Sequence, residues 1–506
     1  MSDAEFDVLV IGAGPAGLTA AWELTRKSTL RVGILEADPV YVGGISRTQR
    51  YKGFLFDIGG HRFFSKSQEI ERLWSEMLPG DFLLRPRKSR ILYDRALYSY
   101  PLRAFEALRN LGLWESVRCV LSYVRARLAP TRQPRTFHEW VANQFGERLY
   151  SIFFRTYTEK VWGMSCDELS ADWAAQRIKG LNLGAAMLDA LMRSLGLSRA
   201  GGEPAGRDTV KTLIESFRYP RKGPGMLWEN VAATVQAAGA RLFMGRQAVQ
   251  FTRDETTGGW TVEVLRGDGA REVFRAAHVI CSAPMRDVVG AVVPRPVCAP
   301  AAQSLRYRDF ITVALVLRDE GGLFDDNWIY IHDTQVRVGR IQNFASWSPD
   351  MIPQPGFACL GLEYFCFEGD NLWDSSDAEL IGLATREIEA LGLVSKDQVV
   401  DGCVVRQPKA YPVYDEGYRG VVDAVRAEFR ERYPTLHFVG RNGMHKYNNQ
   451  DHAMMTAVLT VENILAGRER FDVWGVNEDA EYHEEVRPDR AQALGGEREV
   501  PQRAAP

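Results

Sequence analysis

The residues best suited to chemistry lie near the start of the chain. Gly12, Gly14 and Gly17 stand in the order GxGxxG. Gly12 permits a tight turn, Gly14 lets a pyrophosphate approach the backbone, and Gly17 lets a following helix pack closely. Glu36 comes two dozen residues after the first glycine, where a carboxylate can accept both hydroxyl protons of an adenosine ribose. Gly43 and Gly44 bring backbone near a ligand a second time, and Arg47 can neutralise a phosphate. Gly59 and Gly60 then interrupt a strand and present His61.

Positioning these groups requires particular elements. Phe6 to Ile11 is apolar and partly β-branched, and reads as a buried parallel strand. Leu18 to Leu24 has helical patterning, so that phosphates would meet the N–H groups and dipole of a helix N-terminus. A second strand, 30–35, delivers Glu36. Strand, glycine turn, helix and acidic strand end together make a dinucleotide-binding unit, which a glycine triplet alone would not.

With 506 residues the chain exceeds one core, and two or three domains are expected. Apolar residues make up 45% and the formal charge is −3, which argues against a nucleic-acid partner. The seven cysteines are scattered without a CxxC pair, which predicts reduced thiols, no disulfide framework and no metal site. No signal peptide and no membrane-spanning stretch is legible, so a cytoplasmic location is expected.

Further along, 68–78 predicts an amphipathic helix and 83–100 predicts short strands lining a pocket. Helical patterning runs from 102 to about 200. Three strands are expected at 241–251, 260–265 and 271–274, then a strand leading to Pro284. A second sheet is expected over 306–365, with a helix at 376–391. Pro408 to Tyr414 reads as a rigid aromatic loop, 436–441 as a returning strand and 453–466 as an apolar helix stopped by Gly467. His278, at the start of an apolar strand, reads as structural, and Trp140 reads as core. Of Trp162 and Arg177, composition alone does not decide between wall and ligand contact; a buried guanidinium needs a partner, and a diphosphate would serve.

GxGxxG, the acidic strand end, Gly-Gly-Ile-Ser-Arg-Thr at 43–48 and Asp-Ile-Gly-Gly-His at 57–61 resemble the flavin-binding half of FAD proteins of the glutathione-reductase type. The amine oxidase and protoporphyrinogen oxidase branch shares most of the pattern. Gly-Gly-His followed closely by Phe-Ser resembles the UDP-galactopyranose mutase family, and the likeness covers nearly all the chain except its tail. The resemblance implies an α/β fold. A discontinuous Rossmann-like FAD-binding domain would comprise 1–101, 209–300 and 430–478. A helical domain would occupy 102–208, a mixed-sheet substrate-binding domain 301–429, and a flexible tail 479–506.

The same resemblance implies site residues. Gly12, Gly14, Gly17, Glu36, Gly43, Gly44, Arg47, Gly60, His61, Val249, Gly440, Arg441 and Asp451 would hold FAD, with Val249 on the strand against the adenine. Arg340, Arg441 and His61 would be catalytic. Tyr100, Arg103, Trp162, Arg177, Tyr330, Asn343, Tyr411 and Tyr447 would contact the substrate, a nucleotide-diphosphate sugar. Arginines would fix the diphosphate while tyrosine hydroxyls fill its remaining lone pairs.

The implied reaction is pyranose–furanose interconversion through an adduct between reduced flavin N5 and the sugar, with no net redox. Non-covalent FAD would be reduced beforehand by NAD(P)H or another external reductant. The helical domain could join copies into a homo-oligomer. Arg103 and Thr158 depart from the eukaryotic branch, and the stretch after Tyr447 is shortened, so sugar and base stay open. An alternative is an FAD-dependent oxidoreductase, such as a dehydrogenase, desaturase or amine oxidase, acting on a sugar or other polar substrate. Another is a flavin-fold protein that only binds a nucleotide or escorts a partner.

Overall fold

The computed structural model describes residues 4–100, 102, 104–171, 212–213, 215–477 and 485–486. Two sheets dominate it. In the first, five strands run parallel in the order Arg241–Met244, Val32–Glu36 (β2), Ala4–Ile11 (β1), Arg271–Cys281 and Leu436–Phe438. Strand Arg271–Cys281 also closes an antiparallel meander with Trp260–Arg266 and Arg246–Arg253. One expected strand, 241–251, is two. Gly245, at φ +64°, breaks it, leaving its first part in the parallel sheet and its second in the meander.

β1 is buried on both faces. Val8 and Val10 enter one core with the helices Pro15–Lys27 (α1), Pro224–Ala237 and Gln450–Ala466. Leu9 and Ile11 enter the other, with Val288, Val425 and Phe429. A continuous apolar run is what two covered faces require. Helix Tyr418–Arg432 belongs to this second core, so the first domain takes it in before residue 430.

The second sheet has seven strands, in the order Val399–Pro412, Tyr307–Arg318, Phe357–Cys366, Arg340–Asn343, Trp328–Ile331, Ser89–Tyr93 and Ala96–Ser99. The expected boundary at residue 101 therefore shifts. The strands at 89–99, placed by sequence with the first domain, hydrogen-bond to Trp328–Ile331 and complete the second sheet. The stretch 408–412, read as loop, continues a strand whose register shifts between Arg308 and Phe310, with Lys409 at φ +52°. Ile311, Val313 and Leu315 pack toward helix Asp377–Ala390. Ala314 and Val316 face the hairpin carrying Phe54 and Phe56.

A helical layer covers one end of this sheet. Phe137, Val141, Phe145 and Phe153 pack with Ile91, Tyr98 and Trp162. Helix Thr156–Trp162 ends at Gly163, and buried Arg308 caps it from the sheet. Its Nε donates to the Val161 carbonyl at 3.0 Å and Nη2 to that of Phe365 at 2.8 Å. Burial pulls the Arg308 guanidinium down to about 10, still charged at neutral pH, so the clamp on the Trp162 helix persists.

Within the helical layer, His138 stacks on Tyr150 and stands between two carboxylates. Nδ1 lies 2.7 Å from Asp167 and Nε2 2.9 Å from Glu147. Both contacts are hydrogen bonds only if the ring is an imidazolium, since neutral histidine has one donor. Burial pushes this pKa down, but Glu147 and Asp167 more than offset it and the net shift is upward. A raised folded-state pKa stabilises fully below the unfolded value of about 6.5, and the gain is lost as pH rises through the folded pKa. Thermal melts from acid to alkaline pH should therefore show His138→Gln losing more stability against the parent at pH 5.5–6 than at pH 8.5. Equal losses at both ends would refute the imidazolium latch.

Candidate functional site

The nucleotide end is built where β1 turns into α1. Gly12 takes φ +96°, and its N–H donates to the Leu35 carbonyl at 2.8 Å. A Cβ on Gly17 would stand 1.8 Å from the Gly12 carbonyl oxygen. α1 starts at Pro15 with no side-chain cap on its first turn, leaving its amide groups open to an anion. Gly43 donates to the Ala13 carbonyl at 2.8 Å, setting the second glycine loop against the first. Gly14 and Gly44 come so close that a Cβ on Gly14 would lie 3.8 Å from the Gly44 Cα.

Glu36 stands beside this turn. Its Oε2 accepts from Ala13 N at 2.7 Å and Oε1 from Asp38 N at 2.9 Å. One lone pair on each oxygen remains for a ribose hydroxyl. Burial raises its pKa, and the two backbone bonds oppose the rise. Arg47 donates from Nη1 to the Gly44 carbonyl at 2.9 Å and to Gln407, while its buried Nε has no hydrogen-bond partner. Val249 falls at a bulge, between Ala248 and Gln250, and is skipped by the ladder register. An uncapped helix start, an acidic strand end, a basic group with an orphaned donor and a bulged strand together fit an adenine dinucleotide such as FAD.

A cavity opens past the second glycine pair. Gly60, His61, Arg62, Phe64, Arg340, Tyr411, Arg441, Tyr447, Asn449 and Gln450 line it. His61, which follows the break in strand Phe54–Asp57, places Nε2 2.8 Å from the Ile58 carbonyl and Nδ1 3.4 Å from Ser46 Oγ. A carbonyl partner makes Nε2 the N–H donor, so Nδ1 faces the serine hydroxyl as acceptor. Burial is the main force pushing this pKa down, to about 4, and the Arg441 and Arg340 charges add to it. His61 is neutral at neutral pH.

Arg340 comes from strand Arg340–Asn343, directly across from Glu363. Its Nε donates to Glu363 Oε2 at 2.5 Å, and Gln342 Nε2 donates to Glu363 Oε1 at 2.6 Å. Burial opposes the charge on Arg340, but Glu363 outweighs it and holds the guanidinium above its ordinary range. Arg441 follows Gly440, which takes φ +77°. Its Nε donates to the Asn448 carbonyl at 2.9 Å, and its guanidinium lies 5.1 Å from the Tyr411 ring centre and 5.2 Å from that of Tyr447. Those two rings stack at 5.5 Å. Burial is the main cause raising the Tyr411 phenol, to about 12, so it remains a hydrogen-bond donor.

Other expected residues extend the wall. Tyr330 sits opposite Arg340 in the register, with Tyr100 at 5.1 Å and Tyr157 at 5.3 Å between ring centres. Trp162 is fully buried, 6.5 Å from the Tyr447 ring. Asp451 lies behind the cavity and accepts from Ser65 Oγ at 2.9 Å.

Asn343 does not join the site. It is buried, donates to the Phe324 carbonyl at 2.7 Å and caps the next short helix through Ala345 N at 3.1 Å, so its amide is engaged away from the cavity lining. Arg103 and Arg177 lie outside the described residues. Arg62, Tyr157, Asn449, Gln450 and the Glu363–Gln342 pair escaped sequence reading. Glu363 had a signal: a carboxylate inside the apolar strand 358–364 needs a buried partner.

Fold and site define a dinucleotide-binding α/β protein with an adjacent basic pocket. The chain belongs to the Flavin containing amine oxidoreductase family, which it matches over residues 15–464. It is thus a flavin-dependent enzyme of that superfamily, and family membership supports FAD as its cofactor. A curated Klebsiella pneumoniae protein, "Probable UDP-galactopyranose mutase", is 24% identical over 176 residues, 33% of this chain and 43% of that relative. The chain thus aligns with less than half of that relative's length. A reduced UDP-galactopyranose mutase structure superposes with a TM-score of 0.78 at 22% identity, covering 94% of this chain and all of that one. An Exiguobacterium protein described as "Putative protoporphyrinogen oxidase" gives 0.67 at 17%, covering 92% of this chain and all of that one. At these identities the structural likenesses show the fold alone.

The close approach at Gly17 yields a direct test. Gly17→Ala must separate α1 from the Gly12 turn, costing about 1–3 kcal/mol or more, and should purify with little or no FAD. Absorbance of the released flavin per polypeptide measures this. Full FAD content in a variant as stable as the parent would show that the turn does not hold the cofactor.

Proposed function

We propose that the protein is an FAD-dependent nucleotide-sugar mutase, interconverting pyranose and furanose forms of a nucleotide-diphosphate hexose without net redox. The flavin half is of the glutathione-reductase type. One observation carries the reading: Arg62, Arg340 and Arg441 line the cavity beside His61, and no carboxylate is among its described lining residues. Such a pocket suits an anion. A diphosphate has two charges to share between guanidinium groups, and the Tyr411 and Tyr447 hydroxyls can complete its shell.

When bound and reduced, FAD supplies the nucleophile that ring contraction requires. The chain's own residues do the rest. Arg340 and Arg441 hold the diphosphate at a distance from the reacting carbon, so binding energy is spent on orienting the sugar. His61, neutral and bonded through both ring nitrogens, shapes the floor rather than delivering a proton as an imidazolium. Tyr157, Tyr330 and Tyr100 form an aromatic flank on which a base can stack. The reductant is external, NAD(P)H or an equivalent.

The family description favours a second reading, oxidation of an amine or another polar substrate. An amine is a cation at neutral pH, and the lining arginines repel it. A polar anionic or neutral substrate for oxidation remains the real competitor.

UDP-, dTDP- and GDP-hexoses incubated with oxidised and dithionite-reduced protein separate the readings by chromatography. Conversion in the reduced state alone is expected. Turnover of oxygen or a quinone with an oxidised product, and no ring interconversion, would establish the oxidoreductase instead.

Arg340→Ala and Arg441→Ala should each weaken binding of the converted sugar by about 2–4 kcal/mol, because a desolvated phosphate loses a charged partner. The double variant should lose less than the sum, since both serve one diphosphate. Calorimetric titration measures all three. Unchanged affinity in both single variants would remove the anion from this cavity.

A further inference from the structure

The long helix Ala104–Leu128 carries a face that the site does not use. Gly112, at φ +79° and ψ 165°, interrupts it. On the segment beyond, Trp114, Leu121 and Leu128 recur at every seventh residue and so share one stripe, drifting only about 20° per heptad. They are 74%, 64% and 81% exposed, with Leu113 beside them at 70%. Cys119, Val120 and Tyr123 on the same helix are buried. Scattered exposed leucines are ordinary; four large apolar side chains grouped on one segment are not.

Charge makes the face specific. Residues 109–135 hold six arginines and a single glutamate, with no lysine or aspartate, a net charge of +5 in a chain whose total is −3. All six arginines are exposed. The glutamate, Glu115, is already engaged by Arg118 and Arg148, each at 2.7 Å. A second copy meeting this face about a two-fold axis would set one arginine-rich segment against another. An anionic partner in water would satisfy the arginines but leave the tryptophan–leucine stripe wet. A lipid surface with anionic headgroups satisfies both, taking the apolar side chains at the acyl boundary and the arginines among the phosphates. Among the described residues no helix is long and apolar enough to cross a bilayer, so the contact would be peripheral.

The helix begins at the pocket. Ser99 N donates to Glu106 Oε1 at 3.0 Å, and the next residue, Tyr100, packs on Tyr330 across from Arg340. We propose that this face seats the protein reversibly on an anionic lipid surface, with the aromatic flank of the cavity at the root of the contact. The inference is independent of which reaction the cavity performs.

Full-length, FAD-loaded protein should be spun with vesicles of phosphatidylcholine alone and of phosphatidylcholine with phosphatidylglycerol. Binding is expected to the anionic vesicles at low salt, falling with added salt. The double substitution Trp114→Ala with Leu121→Ala should weaken it at least about tenfold while FAD content and thermal midpoint stay at parental values. Arg125→Gln with Arg127→Gln should flatten the salt dependence. The proposal fails if the protein stays in the supernatant with both vesicle types at low salt, or if the apolar variant binds as well as the parent. It fails equally if light scattering finds a dimer that Trp114→Ala dissociates while vesicles bind nothing, which would give the face to a second copy.

Discussion

The geometry of the cavity depends on one buried ion pair. Glu363 is completely enclosed and would be costly to charge alone. Arg340 and Gln342 each donate to one of its oxygens. Removing either partner of such a pair costs about 3–5 kcal/mol, because it leaves an uncompensated buried charge. Glu363 takes only the Nε edge of the guanidinium, so the fork of terminal nitrogens is left to the cavity. A charge that would otherwise swing on a long side chain is thereby fixed on a strand, and a fixed charge loses little entropy on meeting an anion.

Arg441 reaches the same cavity by a different device. It sits on the single-turn helix Gly440–Gly443 rather than a strand, and the loop that follows is tied back onto that turn. Asn448 donates to the Gly440 carbonyl at 3.0 Å and its own carbonyl accepts from Arg441 Nε. The stacked rings of Tyr411 and Tyr447 then press on the guanidinium from strand and loop. The two arginines thus come from elements far apart in sequence and are immobilised independently, one by a carboxylate and one by backbone and aromatic faces. Together with burial, their fields keep His61 neutral.

What was legible in the sequence followed from local rules. GxGxxG with its strand and helix, Glu36 at the strand end, and the glycine stop at Gly467 each need only neighbours in the chain. What was illegible depended on long-range pairing. Residues 89–99 look like any short strands, and only their register with Trp328–Ile331 assigns them to the second sheet. Pro408 and Pro412 suggested a loop, yet their strand tolerates them at the sheet edge, beside a shifted register. Asn343 lay near Arg340 in sequence but was consumed by a cap, since asparagine competes for backbone donors wherever a helix begins. Tyr157 lies beside Thr158 in sequence, but its place on the flank is set by ring contacts with Tyr330 and His332 that only folding makes.

The two halves of the site are tied through Arg47. Its Nη1 donates to Gly44, in the nucleotide loop, and to Gln407 at 2.5 Å, on the strand that carries Tyr411. Nearby, buried Asp57 accepts from Thr48 Oγ1 at 2.9 Å and from the Tyr219 hydroxyl, while Thr48 accepts from Gly225 N. Burial lifts the Asp57 carboxyl to about 7, so it shares its hydrogen bonds at the edge of ionisation. The hairpin between these contacts leads directly into Gly59, Gly60 and His61. A phosphate settling against the glycine loop therefore acts on the same backbone that sets His61 and, through Gln407, the strand of Tyr411.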